Sequence, residues 1–523
     1  MPVLNNNRSE AISMTVGPQR IVIVGGGTAG WMSAAALARL LPSRVSLQLI
    51  ESEQIGTVGV GEATIPHIRY FNALLGIDER EFIHATQATY KLAIEFVGWG
   101  RETSRYLHPF SAFGGDIDGI DFHHYWLRTR DEWPELNLDA FSLAAQAARL
   151  GRFAPPPEHS EFGYGYAFHL DASRYAGYLR AYAEQRGVTR TEGRIQSVIP
   201  RESDGGVAAL TLESGERIEG DLFIDCSGFR SLLLGQTLGV PFNSWKHWLP
   251  CDRAVAIASG ALSEPPSFTR STATTTGWQW RIPLQERTGN GQVYDSRSIS
   301  DDEACAQLIG SLNGAPQSDP NLIRFEAGAR ARSWDKNVIA IGLSSGFLEP
   351  LESTSIYLIQ MAIFKLVEFF PNGESGAVGR EAFNRWMSLE YERVRDFIIL
   401  HYHLNQREDS EFWQDCAHMS VPEGLQRKIA LFKESATIEF YDQGLFAPPS
   451  WLAVYLGQGL NPEAIDPRVA QQPVASLKGP LEQLANHLNR TAQALPLHRE
   501  VLARGGAAPS AAAPMSLYGG RYG

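Results

Sequence analysis

The chain has 523 residues, of which 44% are apolar, and this length allows a sizeable core in two or three lobes. Its formal net charge of -12 and its pI near 5.6 give no argument for nucleic acid or an anionic membrane as a partner. Four widely spaced cysteines show neither a metal nor a disulfide pattern and favour a reducing cytoplasm; they are Cys226, Cys251, Cys305 and Cys416.

The sequence of the first 18 residues predicts neither a helix nor a strand. Residues 1–18 lack the apolar core of a secretory signal, so we expect a flexible N-terminus there. No run in the sequence approaches the ~18 apolar residues that a membrane span needs. We therefore expect no association with a membrane.

Residues 20–51 have the pattern of a dinucleotide-binding unit. The apolar residues 20–24 predict a strand, residues 25–30 (GGGTAG) a tight turn and residues 31–40 a helix, and the next apolar run ends in an acid. The turn lets the backbone approach a pyrophosphate at the helix N-terminus, and the acid takes ribose hydroxyls, which fits FAD or NAD. The predicted contacts are Gly25, Gly27, Thr28, Ala29, Gly30 and Glu51.

A single lysine, Lys91, interrupts the apolar residues 88–96. On the residues alone, an amphipathic strand or helix with Lys91 reaching solvent is the favoured interpretation. The alternative is a desolvated lysine, whose lowered pKa and N–H donors suit it to polarise a small oxidised species. The local sequence leaves both interpretations open.

The middle of the chain alternates helices and strands. Residues 174–186 have the period of an amphipathic helix, and residues 193–199, 207–213 and 216–219 are typical of strands with tight turns. Residues 221–228 (DLFIDCSG) resemble the later FAD-contacting strand of two-dinucleotide-fold flavoproteins. No second glycine fingerprint follows a strand, so we expect no nicotinamide site and a flavin that is reduced from outside. Further predicted cofactor contacts are Ala63, Asp225, Gly228, Gly342 and Leu343.

Two carboxylates three residues apart follow the apolar, Gly/Ser-rich residues 338–346. This pattern predicts a buried strand, a turn that carries Glu349 and Glu352, and then a helix. Burial raises the pKa of a carboxylate unless it is paired, so an acid here can accept a proton near neutral pH. The alternative is that both acids merely cap a helix N-terminus.

Beyond Glu352 the sequence becomes helical. The predicted fold class is α/β, with a Rossmann-like FAD-binding domain of the two-dinucleotide-fold flavoprotein type, β-rich insertions and a mostly helical C-terminal lobe. The three predicted helices of this lobe are residues 356–370, 379–404 and 421–433. The predicted parts are a flexible N-terminus (1–18), the FAD-binding domain with inserted strands (19–355), a helical, pyramid-like substrate lobe (356–500) and a disordered Gly/Ala/Pro/Ser-rich tail (501–523).

Three segments together resemble the flavin-dependent tryptophan/indole halogenases. They are residues 59–66 (GVGEATIP), 278–283 (WQWRIP) and 347–354 (FLEPLEST), and the resemblance runs from about residue 20 to residue 459. Alone, the two tryptophans could be ordinary strand aromatics. In the family, the W-x-W-x-I-P element is the signature that separates halogenases from flavin hydroxylases; here it is Trp278, Trp280, Ile282 and Pro283.

The resemblance implies a reaction and the roles of several residues. Reduced FAD, O2 and chloride or bromide give hypohalous acid, which halogenates an electron-rich aromatic ring by electrophilic substitution. Lys91 matches the family's essential lysine, and Glu352 matches the glutamate that accepts the ring proton. Ser353 matches a hydroxyl that supports the lysine. Thr354 and the N–H of Ser355 would hold the halide, although the family often has glycine after that threonine.

Substrate recognition is where the sequence departs from the family. Members that take free tryptophan carry a Tyr-Tyr-Glu run, a second Glu and a Phe-Trp pair, whereas residues 437–446 here are TIEFYDQGLF. The second Glu aligns near Tyr441, with Glu439 and Asp442 close to it. The family's His-x-Phe corresponds to Ser111-Ala-Phe113. We therefore expect free indole, a substituted indole or a larger indole-bearing molecule rather than free tryptophan. The predicted pocket residues are Phe113, Glu349, Trp413, Phe446 and Trp451. For the last three, a position in the core of the helical lobe is at least as good an interpretation.

Two other functional classes stay open. A flavin-dependent aromatic hydroxylase would not need Lys91, and an inactive FAD-binding relative would have lost halogenation. The resemblance also implies a separate NAD(P)H-dependent flavin reductase that supplies reduced FAD by transient contact or diffusion. We expect a monomer or a homodimer and no metal.

Overall fold

The computed structural model describes residues 18–53, 61–156, 162–371, 376–441, 444–507 and 516–518. The strands of these residues are β1 (Arg20–Val24), β2 (Ser46–Glu51), β3 (Gly61–Ala63), β4 (Thr89–Lys91), β5 (Ala93–Val97), β6 (Arg105–Pro109), β7 (Ala167–Asp171), β8 (Thr189–Glu192), β9 (Ile195–Pro200), β10 (Val207–Leu212), β11 (Arg217–Glu219), β12 (Leu222–Asp225), β13 (Phe242–Ser244), β14 (Arg253–Gly260), β15 (Phe268–Thr274), β16 (Gly277–Pro283), β17 (Arg287–Tyr294), β18 (Asn321–Arg324), β19 (Gly328–Arg330), β20 (Trp334–Asp335), β21 (Val338–Ala340) and β22 (Gly346–Phe347). The helices are α1 (Thr28–Leu40), α2 (His67–Leu75), α3 (Glu79–Thr86), α4 (Phe122–Thr129), α5 (Leu143–Arg149), α6 (Ala172–Glu184), α7 (Asp301–Gly310), α8 (Ser355–Glu368), α9 (Ala377–His403), α10 (Glu411–His418), α11 (Glu423–Ser435), α12 (Pro448–Gly457), α13 (Pro467–Ala470), α14 (Val474–Ala494) and α15 (His498–Ala503). None of them is both long enough and apolar enough to cross a membrane.

A six-stranded sheet in the order β20-β21-β12-β1-β2-β8 forms the dinucleotide-binding unit. Strand β1 pairs in parallel with β2 and β12, and β12 pairs in parallel with β21. The carboxyl ends of these four strands therefore meet along one edge, which is where open α/β sheets bind ligands. The predicted α/β fold class is confirmed.

Two further sheets position the other motifs. A seven-stranded sheet in the order β18-β14-β17-β16-β15-β5-β6 contains Trp278 and Trp280 two residues apart on β16, hence on one face. A three-stranded sheet in the order β3-β7-β4 carries Lys91 at the end of β4. The remaining strands form two small sheets, β11-β10-β9 and β13-β19-β22.

The C-terminal half is mostly helical, as the sequence predicts. Helices α8, α9 and α11 begin within two residues of their predicted starts and end within two of their predicted ends. One buried apolar cluster contains Ile23 of the first strand, Trp278 of the seven-stranded sheet and Phe397 of α9. The halves before and after residue 355 thus share a core, and the division there stays a prediction.

The prediction that residues 501–523 are disordered is wrong for part of this segment. Helix α15 continues to Ala503, and Ser516, Leu517 and Tyr518 are buried. Residues 508–515 and 519–523 lie outside the described residues, as do residues 1–17 of the predicted flexible N-terminus. Composition alone could not show that an apolar and an aromatic side chain within this segment find partners in the core.

Candidate active site

A cavity of about 570 Å³ lies along the carboxyl edge of the six-stranded sheet. Its wall includes the glycine turn between β1 and α1 and the start of α8. Most of the predicted cofactor contacts line it: Gly25, Gly27, Thr28, Ala29, Glu51, Ala63, Gly228, Gly342 and Leu343. Trp280, Ile282, Ser353 and Ser355 also line it.

The carboxylate at the end of β2 lies directly against the glycine turn. A Cβ on Gly26 would be 1.5 Å from Glu51 Oε2. Glu51 also accepts a hydrogen bond from Trp31 Nε1 at 3.3 Å and pairs with Arg190. Backbone N–H donors at a helix N-terminus, a carboxylate and no intervening Cβ suit a nucleotide with a free ribose. The residues present therefore fit the adenosine and pyrophosphate part of FAD.

Two of the predicted cofactor contacts, Asp225 and Gly30, do not line the cavity. Asp225 is fully buried, and its Oδ2 accepts hydrogen bonds from the N–H groups of Leu233 and Leu234 at 2.8 and 2.9 Å. Its carboxylate is held by the turn after β12 and does not line the cavity, so its contact with the cofactor stays a prediction. Gly30 allows α1 to approach β1, since a Cβ there would be 1.8 Å from the carbonyl oxygen of Gly25.

Replacement of Gly30 by alanine is expected to impair FAD binding. The added Cβ meets backbone rather than a movable side chain, so α1 must shift, at about 1–3 kcal/mol of stability. We expect at least a tenfold weaker FAD affinity in equilibrium titration and a lower melting temperature. Gly424→Ala is the matched control, because no atom lies within 4 Å of a Cβ at this helical position. Unchanged FAD affinity in Gly30→Ala would contradict the prediction.

Lys91 is fully buried. Its Nζ donates hydrogen bonds to Ser353 Oγ at 2.7 Å and to the carbonyl oxygen of Thr64 at 3.0 Å, and it lies 5.3 Å from the ring centre of Phe110. Burial lowers the pKa of Lys91 to about 7, although the charge of Glu352 acts to raise it. The interpretation in which Lys91 reaches solvent is wrong, because β4 is covered on both faces.

The carboxylate of Glu352 is buried between two imidazoles. His108 Nδ1 lies 2.9 and 3.1 Å from its two oxygens, and His401 Nε2 lies 2.8 Å from Oε1. Burial acts to raise the pKa of Glu352, but the charges and hydrogen bonds of the two histidines outweigh it and lower the pKa to about 2. Glu352 is thus the paired carboxylate for which burial does not raise the pKa.

His401 constrains where the protons of this cluster lie. Its Nδ1 is 2.8 Å from the carbonyl oxygen of Phe397, which only accepts, so Nδ1 carries a hydrogen. Its Nε2 lies 2.8 Å from Glu352 Oε1, at ion-pair distance but outside hydrogen-bonding geometry. The cluster holds a carboxylate whose proton partners are already in place, which suits a general base.

The pKa of the other acid of the turn, Glu349, is shifted in the opposite direction. It is fully buried, and its Oε2 accepts hydrogen bonds from Tyr402 Oη at 2.6 Å and Trp278 Nε1 at 2.9 Å. Both partners are neutral, so desolvation dominates and raises the pKa of Glu349 to about 7. Glu349 thus links the W-x-W-x-I-P strand to α9 through a carboxyl that holds its proton in weak acid.

The raised pKa of Glu349 predicts a pH-dependent contribution to stability. The folded state keeps this proton up to about pH 7, whereas the unfolded chain releases it near pH 4.5, so the contribution is complete below 4.5 and is lost as the pH rises through 7. The glutamine of Glu349→Gln does not titrate. The free energy of unfolding of this variant, relative to that of the parent, should therefore rise by about 2–3 kcal/mol between pH 5 and pH 8. Urea unfolding at both pH values measures this difference. The exposed control Glu202→Gln should follow the parent, and a pH-independent difference for Glu349→Gln would contradict the prediction.

The predicted pocket residues fall into two groups. Phe446 stacks on Phe397 with ring centres 3.8 Å apart, and Trp451 meets Phe397 edge-on at 5.2 Å, next to His108. Trp413 instead stacks on Tyr402, on the Glu349 side. Phe113 is buried, but the aromatic ring beside Lys91 is Phe110. The place of Phe113 in the substrate pocket stays a prediction.

Two residues near Glu352, His401 on α9 and Ser450 on α12, carry no signal in the sequence, and only the fold brings them there. His108 and Phe110 do carry one, because residues 108–110 (HPF) have the spacing of the family's His-x-Phe and match it more closely than Ser111-Ala-Phe113 does. Glu62 lines the cavity, and burial raises its pKa to about 7. The sequence signal for Glu62 was its position next to Ala63, inside the GVGEATIP motif.

Thr354 and Ser355 lie at the start of α8. Thr354 is fully buried, and its Oγ1 has no hydrogen-bond partner among the described residues. Its side chain does not cap the helix, and Ser355 lines the cavity. An open helix N-terminus with an unpaired hydroxyl favours an anion.

Known proteins share both the sequence pattern and this architecture. The family model described as tryptophan halogenase matches residues 20–474. The chain is 38% identical over 476 residues to tryptophan 6-halogenase SttH of Streptomyces toxytricini, covering 85% of this chain and 90% of that protein. Two solved structures match with a TM-score of 0.90 each. BrvH, a flavin-dependent halogenase from Brevundimonas sp. BAL3, is 46% identical and covers 94% of this chain and 99% of its own. Xcc4156, a flavin-dependent halogenase from Xanthomonas campestris, is 44% identical and covers 95% of this chain and 100% of its own.

Proposed function

The chain belongs to the tryptophan halogenase family and is an enzyme, and from this premise we propose that it uses reduced FAD and O2 to oxidise chloride or bromide and halogenates an indole-type ring. The observation that carries the proposal is the position of Ser353. Ser353 lines the cavity on one side and accepts a hydrogen bond from buried Lys91 on the other. An oxidised halogen species that leaves the cavity past Ser353 would meet the lysine there.

The cavity offers FAD a complete set of contacts. Gly25, Gly27 and Thr28 would hold the pyrophosphate, Glu51 the ribose, and Gly342 and Leu343 the flavin end. Reduced FAD bound there would supply two electrons that, together with two from the halide, reduce O2 and leave hypohalous acid and water. A separate reductase would supply the reduced FAD, since residues 20–51 carry the one glycine fingerprint in the sequence.

The chain's own residues would position the halogen and remove the proton. The N-terminus of α8, with the free hydroxyl of Thr354 and the N–H of Ser355, would hold the halide beside the flavin end of the cavity. Lys91 would bind the oxidised halogen through an N–H that Thr64 and Ser353 leave free. Glu352 would then accept the proton that the ring loses after attack.

The surroundings of Glu439 favour an indole over free tryptophan. Glu439 is paired with Arg427 at 2.8 Å and lies 3.8 Å from Lys428, so it is not free to bind a substrate ammonium group. Tyr441, which aligns near the family's second acid, donates a hydrogen bond to Asp396 at 3.1 Å. Asp442 lies outside the described residues. A site that lacks its charged partners discriminates strongly against a zwitterion.

Mass spectrometry of a reconstituted reaction tests the proposal. The protein would receive FAD, an external flavin reductase, NADH and bromide, with indole and tryptophan in parallel vessels. We expect the isotope doublet of bromine on indole but not on tryptophan. A doublet on tryptophan would overturn the substrate assignment. Addition of oxygen without halogen would replace the halogenase by a hydroxylase, and no product from these substrates or a panel of larger indoles would contradict the proposed activity.

A further inference from the structure

The C-terminal residues Ser516–Tyr518 lie against the Glu352 cluster. Tyr518 is 2% exposed and Leu517 is 2% exposed. On one side, the carbonyl oxygen of Leu517 lies 2.4 Å from where a Cβ of Gly165 would be, and the N–H of Gly165 donates to the carbonyl oxygen of Phe110. On the other side, the Tyr518 hydroxyl contacts the start of α12. The segment therefore lies between the Lys91 side of the site and α12.

A continuous chain of hydrogen bonds joins Tyr518 to Glu352. The Tyr518 hydroxyl bonds to Ser450 Oγ, Ser450 Oγ lies 2.6 Å from His108 Nε2, and His108 Nδ1 lies 2.9 Å from Glu352 Oε2. Tyr518 Oη also accepts the N–H of Ala447 at 3.2 Å. Every member is buried, so water does not compete for these bonds.

The hydrogens available to these four groups determine which group donates each hydrogen bond. When His108 is neutral, the carboxylate of Glu352 requires the hydrogen on Nδ1, so Nε2 must accept from Ser450. Ser450 then donates its only hydrogen to His108, so its oxygen acts as an acceptor toward Tyr518, and the Tyr518 hydroxyl donates to it. When His108 is charged, Nε2–H donates to Ser450, and Tyr518 turns its hydrogen to the carbonyl oxygen of Ala447 at 3.5 Å. The hydroxyl of Tyr518 satisfies the chain in both states.

We propose that Tyr518 is a positioning residue for Glu352, acting through Ser450 and His108. By donating to Ser450, it supports the hydrogen bond from Ser450 to His108 Nε2 and so reinforces the preference for the hydrogen on Nδ1 that the carboxylate sets. The orientation of the base that accepts the ring proton thus depends on a residue from the C-terminal end of the chain. This inference rests on the proposed halogenase function for its kinetic consequence, but not for its effect on the histidine.

A double-mutant cycle tests the proposed chain. We expect Tyr518→Phe and Ser450→Ala each to lower kcat for indole about tenfold with KM changed less than about twofold, and Ser450→Thr, which keeps the hydroxyl, to restore most of kcat. The double variant should be no slower than Ser450→Ala alone, because both changes break the same chain. Additive losses, or a parent-like kcat in Tyr518→Phe, would overturn the proposal. Tyr125→Phe is the control: its ring is buried in a separate cluster, and its hydroxyl donates to Ile117 at 3.2 Å.

Nitrogen NMR of the cofactor-free protein gives a second readout that needs no turnover. With 15N-labelled histidine, and with the His108 signals identified by their loss in His108→Asn, the parent should show hydrogen on Nδ1 and a hydrogen-bonded, unprotonated Nε2. In Tyr518→Phe we expect a shift of the His108 ring signals toward the other tautomer. Unchanged signals would overturn the inference even if halogenation occurs. Absence of halogenation by the parent would overturn the proposed function and leave this measurement standing.

Discussion

Replacement of Lys91 by methionine is expected to reduce halogenation at least about 1000-fold while FAD still binds. Methionine keeps the volume of the side chain but removes the N–H donors that would bind the oxidised halogen. Lys91 does not line the cavity, and its hydrogen bonds go to Ser353 and Thr64, so FAD affinity should change less than about threefold. Bromoindole formation, measured with a flavin titration on the same preparation, gives both values.

A second lysine serves as the control for this substitution. Lys365 is half-buried on α8 and pairs with Glu368 at 2.6 Å, outside the Lys91–Glu352 cluster. Lys365→Met should halogenate at close to the parent rate. Unaltered product formation by Lys91→Met would remove the lysine from the mechanism, and loss of FAD binding would assign it a structural role instead.

Replacement of Glu352 by glutamine is expected to lower turnover about 100- to 10,000-fold, the range that a positioned general base contributes. Glutamine occupies the same space but cannot accept the ring proton. The lowered pKa means that the parent carboxylate is ionised throughout the neutral range, so the base is ready before the substrate arrives. We expect halide oxidation to continue, because Glu352 does not line the cavity. A halogen-trapping dye added to the reaction would detect the hypohalous acid while bromoindole falls.

Glu390→Gln is the matched control for this change. Glu390 is 2% exposed and accepts a hydrogen bond from Tyr357 at 2.8 Å, away from the histidines. Its substitution tests what the loss of any buried carboxylate does to turnover. A Glu352→Gln variant that brominates indole at the rate of Glu390→Gln would exclude Glu352 as the base.

The two carboxylates of one turn show how environment divides chemical roles. Glu349 and Glu352 are three residues apart and equally buried, yet burial raises the pKa of the first and two histidines lower that of the second. Groups whose surroundings drive their pKa values apart are suited to different tasks. Glu349 can hold β16 to α9 as a neutral hydrogen-bonding group, while Glu352 stays an anion.

The local sequence determined the parts of this protein that depend on neighbours along the chain. Residues 20–51 form strand, turn, helix and strand as predicted, because a run of β-branched residues, a glycine turn and a helix-forming segment each have one favourable backbone conformation. The α/β class and the helical C-terminal half follow from the same periodicities. The resemblance of the motifs was enough to identify the family.

The tertiary structure alone decided the electrostatics of the site. Lys91 and Ser353 are 262 residues apart in the chain and 2.7 Å apart in space, and His108 is 244 residues from the carboxylate it contacts. The sequence could not tell whether Lys91 reaches solvent or is buried, or whether Tyr518 belongs to a free tail or to the core. A pKa and a hydrogen-bond partner depend on which distant groups share a dry site, and only the packing of the whole chain determines which groups those are.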